Sequence, residues 1–133
     1  MEAALVENLL LQGGELLKGD MLSEAELIQR ALERSYVKPV CVVREWMLLD
    51  VMVSSQDERL LKAQGLLPTV LFARDIVFDS RSLGARSGAL RSGFQLSFVE
   101  SVFDTRDVIY VLAGAGQRKH ASLPAVLALD GLG

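Results

Sequence analysis

Residues 69–113 read TVLFARDIVFDSRSLGARSGALRSGFQLSFVESVFDTRDVIYVLA, and the way apolar side chains fall along this stretch decides the fold class. Thr69 to Ala73, Ile76 to Phe78, Leu90 to Phe103 and Val108 to Ala113 are rich in β-branched and aromatic residues and are separated by short polar turns, the pattern of consecutive strands. Within the third of them Phe94, Leu96 and Phe98 alternate with Gln95, Ser97 and Val99, as a sheet with one partly wet face requires.

Upstream the period changes. Leu5, Val6, Leu9 and Leu10 recur at helical spacing from Glu2 to Gln12, until Gly13-Gly14 stops the run, and Glu15 to Asp20 reads as a connector. Ser23-Glu24-Ala25-Glu26 forms a capping box, in which hydroxyl and carboxylate each satisfy a free backbone N–H. It opens a helix from Glu24 to about Arg34 with Leu27, Ile28, Ala31 and Leu32 on one stripe. Past Pro39, Val40 to Val43 and Trp46 to Val53 read as one long or two short strands buried on both faces. Ser55 to Glu58 reads as a second capping box, opening a short helix that Gly65 ends in the left-handed conformation.

Helices first and strands later predict an α+β fold, with N-terminal helices packed on a mainly antiparallel sheet of about four to six strands. The 133 residues suit a single domain over residues 1–133: a helical region spanning 1–38, a sheet with one short helix over 40–119, and an apolar tail 121–133 that could be an edge strand, a docking arm, or frayed. Half the residues are hydrophobic and 23% charged, which is ordinary for a globular chain. The formal charge of −3 argues against a general polyanion binder, and five Phe, two Tyr and one Trp supply few platforms for stacking bases. Cys41 stands alone, so no intramolecular disulfide forms and a cytoplasmic setting is expected. The opening MEAALVENLLLQGG lacks the basic start of a secretory signal, and no apolar run approaches the ~18–20 residues that cross a bilayer, so no membrane partner is expected.

The most unusual local composition is Ser80 to Gly93, SRSLGARSGALRSG, where Arg81, Arg86 and Arg91 recur every five residues, each before a serine, with no acid among them. Together with Arg118 and Lys119 these arginines are the candidate partner- or anion-binding residues, because guanidinium groups grip phosphate or carboxylate bidentately. The competing reading is a solvated hairpin loop that happens to be basic. Gly114-Ala115-Gly116 superficially resembles a dinucleotide-binding turn. Too little chain follows it for that fold, so a tight turn beside a basic cluster is preferred. His120 is the sole histidine, and neither Cys41 nor any serine sits in a nucleophile signature. Asp75, Asp79, Asp104 and Asp107 fall at strand ends, where turn capping and ion pairs with Arg74, Arg81 and Arg106 explain them more simply than a metal or acid–base site. No catalytic residue, metal or cofactor is therefore expected.

Val77-Phe78-Asp79-Ser80, Arg91-Ser92, Phe103-x-Thr105-Arg106 and Tyr110-Val111-Leu112-x-Gly114-x-Gly116-x-Arg118-Lys119, with Cys41 and Trp46, resemble a family of small proteins of proteobacteria and their phages, catalogued as a domain of unknown function. The resemblance covers about residues 40–119. It implies no activity, and its phage and mobile-element setting favours small proteins that bind and inhibit host machinery, anti-CRISPR proteins included. The first expectation is thus a non-enzymatic protein-binding module, with the acidic helical face of Glu24, Glu26 and Glu33 available to a basic partner and a homodimer left open. The alternative is a nucleic-acid-binding accessory protein using Arg81, Arg86, Arg91, Arg118 and Lys119. A small enzyme acting on an acidic or phosphorylated substrate through His120 and the strand-end aspartates comes third.

Overall fold

The computed structural model describes residues 2–11, 13–19, 21–34, 38–81 and 89–132. Its elements run α1 (Glu2–Leu11), β1 (Glu15–Lys18), α2 (Glu24–Arg34), β2 (Val40–Met52), α3 (Ser55–Ala63), β3 (Thr69–Asp79), β4 (Leu90–Arg91), β5 (Ser97–Val99), β6 (Val102–Asp104), β7 (Ile109–Leu112), β8 (Ala115–Ser122) and α4 (Leu123–Ala128), with a closing 3₁₀ turn at Leu129–Leu132.

β2 is the spine. Its one long run of buried residues lies against β3 in antiparallel register from Cys41↔Asp79 to Asp50↔Thr69. Its other edge is shared by two strands that both run parallel to it: β7 along Val40–Val43 and β8 along Met47–Met52. β6 extends the sheet beyond β7, and β1 extends it beyond β8. The α+β class holds, but the sheet is mixed, with β2 pairing β7 and β8 in parallel, and among the described residues it has eight strands rather than four to six. The difference arises because residues 108–122 are almost one strand, interrupted by a bulge at Ala113-Gly114, where Gly114 has φ 69°.

The sheet curls until its ends meet. From β4 the chain runs along β3 and then reaches β6, through Ser92 N–H to Leu71 O, Gln95 N–H to Thr69 O, Leu67 N–H to Gln95 O and Leu96 N–H to Asp104 O. The concave side holds one core, with Cys41, Val43, Trp46, Leu48, Leu71, Phe103, Tyr110 and Leu112. The convex side carries two more. α1 and α4 cover Met47, Leu49, Val51, Val70 and Phe72, and α2 covers Val40, Val42, Val111 and Ala113. Alternation slips once along β2: Val43 and Trp46 both face inward, and Glu45 between them takes φ 50°.

Local corrections follow the same physics. Residues 15–18, read as a connector, form edge strand β1, because Gly14 lets the chain pass so close to β8 that a Cβ there would lie 2.6 Å from Arg118 O. Half of the first capping box forms as expected, with Glu26 N–H donating to Ser23 Oγ, while the Glu26 carboxylate accepts from the Ser23 hydroxyl rather than from a backbone N–H. The second starts one residue early: Ser54 is the N-cap and accepts from Asp57 N–H. The apolar tail is neither an edge strand nor frayed over its described length. Ser122 ends β8 and caps α4, Pro124 sits in the first turn, and Val126 and Leu129 dock on the convex core.

Candidate binding surface

Of the five cations singled out in the sequence, the four among the described residues do not converge. Arg81, just beyond β3, is held by Asp79 through Nε and Nη2 at 3.0 and 2.9 Å. Arg91 on β4 grips Asp130 of the C-terminal turn at 2.8 and 3.0 Å. Arg118 on β8 grips Asp50 on β2 with both contacts at 2.8 Å. Arg91 lies opposite Phe72, so Arg81 stands roughly 30 Å further along the strand, while Arg118 is about three strand spacings, ~14 Å, across the sheet. Arg86 lies outside the described residues. Lys119 points to the convex side, where Nζ donates to Leu9 O at 2.8 Å and Leu10 O at 3.2 Å and so caps the C-terminal end of α1.

The segments that carry the family resemblance are mostly stitches. Ser80 exchanges hydrogen bonds with Val40 through its N–H and Oγ. Ser92 Oγ accepts from Leu71 N–H, and Thr105 Oγ1 bridges both backbone groups of Val108. Trp46 Nε1 donates to the carbonyls of Ala113 and Gly114, and Gly116 lies under the ring, so Gly114-Ala115-Gly116 is a bulged, Trp-packed strand passage and not a turn.

Among the other candidates, Cys41 is fully buried in the concave core and His120 is exposed. Asp104 pairs with Lys38, and Arg106 bonds Gln64 rather than an aspartate. Asp50, Arg118 and His120 line a polar recess of about 390 Å³ with Gly13, Gly14 and Glu15. There, burial pushes the Asp50 pKa up, but hydrogen bonds from Arg118 and Thr69 and the charges of Arg118 and His120 outweigh it and hold it below the ordinary 3.8. A carboxyl whose folded pKa is depressed stabilises the fold above its unfolded pKa and loses that contribution as pH falls through the folded value. Asp130, lowered by its hydrogen bonds from Arg91, acts in the same sense. Urea denaturation of wild type and Asp50→Asn should therefore diverge at neutral pH and converge as the pH falls below the ordinary 3.8; parallel curves throughout would contradict the assignment.

Sequence reasoning did not foresee a groove of about 290 Å³ on the convex face, where the end of α1 and β1 meet β2, β3 and β8. Met47 and Phe72 lie at its base, Leu10 and Leu16 along its sides, and Glu45, Arg74 and Lys119 supply its charges. Leu16 on β1 is 77% exposed and Leu11 at the end of α1 is 76% exposed, so the apolar surface continues past the rim. The advance signal was the charged pairs Arg44-Glu45 and Arg74-Asp75, each interrupting an apolar run.

Fold and surface together define an α+β domain with a curled mixed sheet, helices on its convex face and an amphipathic groove beside the end of α1. The chain belongs to the family described as "Domain of unknown function (DUF6957)", whose match spans residues 18–128, from the end of β1 to the end of α4. No curated protein and no solved structure matches it. Among the described residues no helix is long and apolar enough to cross a membrane.

Proposed function

We propose that this domain is a non-enzymatic protein-binding module that works in the cytoplasm and docks its partner in the convex-face groove. The observation that carries the reading is the groove itself, an apolar floor of Met47 and Phe72 left open beside the end of α1 and continued by exposed Leu11 and Leu16. Its 290 Å³ falls at or below the ~300–1,000 Å³ usual for sites that enclose a small molecule, and it suits the anchor side chains of a protein segment better. Burial of Cys41 and the structural pairing of Arg81, Arg91 and Arg118 give enzymatic and nucleic-acid readings less to work with.

A proteobacterial or phage origin, with the partner drawn from host machinery and anti-CRISPR activity as one form of the inhibition, completes the proposal. Tagged protein incubated with a proteobacterial lysate should retain one partner in stoichiometric amount. Leu16→Glu, which places a charge on the exposed wall without touching the core, should abolish that retention. A partner held equally by wild type and Leu16→Glu, or no partner at all, would refute the groove as its docking site.

A further inference from the structure

The charges in the groove are unevenly satisfied. Arg74 is exposed and, among the described residues, makes no hydrogen bond or ion pair, although Glu45 lines the same groove. Lys119 is only 4% exposed, and its ammonium has three donors, of which Leu9 O and Leu10 O take two. Arg74 is close enough that its charge, after burial, lowers the Lys119 pKa, so both cations act on one space. Two cations against one acid leave the groove net positive in a protein whose overall charge is −3, and the surface around the charges is apolar.

Resting on the groove as the docking surface, we infer that the partner segment seated there carries an aspartate or glutamate flanked by aliphatic or aromatic side chains. The carboxylate lies between Arg74 and the remaining N–H of Lys119, and the flanking side chains cover Met47, Phe72 and Leu16. A carboxylate in this position supplies the missing acceptor and offsets the mutual repulsion of the cations, where a neutral segment would leave both partly desolvated and without a counter-charge. A basic segment would add a third cation.

A random dodecapeptide display library panned on the immobilised full chain tests this directly. Enriched peptides should share an acid beside one or more large apolar residues. Changing that acid to its amide, or Arg74→Ala in the protein, should each weaken the best peptide about tenfold in fluorescence polarisation. Glu45→Gln should strengthen it, and the melting temperature of Arg74→Ala should stay that of wild type. Enriched peptides that lose binding with Leu16→Glu, yet show no acid preference and ignore Arg74→Ala, would overturn the carboxylate inference and leave the docking surface standing. No enrichment above the bare support, or enrichment indifferent to both variants, would overturn the docking surface itself.

Discussion

Trp46→Ala should lower stability by about 3–5 kcal/mol, a fall of roughly 10–20 °C in melting temperature, more than any other single truncation in the sheet. The indole is 3% exposed and sits in the concave core where β2 changes the residues it turns inward. Its Nε1 reaches the carbonyls of Ala113 and Gly114, both at 3.2 Å, at the bulge where β2 stops pairing with β7 and starts pairing with β8. Truncation opens a cavity and removes a donor from that irregular passage at the same time. Gly116→Ala should damage the same place from the other side, because a Cβ there would lie 2.3–2.5 Å from the ring. Urea denaturation measures both, and a Trp46→Ala loss below about 1 kcal/mol would show that the junction does not depend on the ring.

Arg81→Ala should cost about 2–3 kcal/mol at neutral pH, although Arg81 begins the segment whose composition first suggested a ligand loop. The Asp79 side chain is fully buried, whereas that of Arg81 is 43% exposed. The arginine donates three hydrogen bonds to this carboxylate, from its backbone N–H, Nε and Nη2. Removing it leaves a buried charge short of its cation, while its own partial exposure keeps the effect below that of a fully buried pair. A double-mutant cycle with Asp79→Ala should show favourable coupling of about 1–2 kcal/mol. Additive losses would mean that the arginine is solvated and available to a ligand.

Local signals in the sequence disclose some of these elements and conceal others. Helix α2 was legible because Ser23 and Glu26 mark its start and Leu27 and Ala31 mark its face, all within one turn or two of each other. Strand β2 was legible because burial on both faces leaves an unbroken apolar run. The β5–β6 hairpin was hidden, since its two-residue turn places Glu100 and Ser101 at φ 48° and 67°, a conformation normally signalled by Asn-Gly. Parallel pairing of β7 and β8 with β2 was hidden too, because it joins residues about seventy apart and leaves no local mark.

For the candidate site the same division holds. Residue type singled out Arg81, Arg91, Arg118 and Lys119 as candidate partner- or anion-binding residues, but the groups that hold them in the fold, Asp79, Asp130, Asp50 and the end of α1, come together mainly through long-range folding. Arg74 drew attention only as a partner for a neighbouring acid, and the groove it borders exists only where α1, β1, β2, β3 and β8 meet.

Hydrogen–deuterium exchange of the chain alone and in complex with its captured partner tests the docking surface most directly. Protection on binding should concentrate at residues 9–17, 45–47, 72–74 and 115–119, which border the groove. Protection confined to α2, to the 80–93 segment or to the Asp50–Arg118 recess, with those four stretches unchanged, would contradict it.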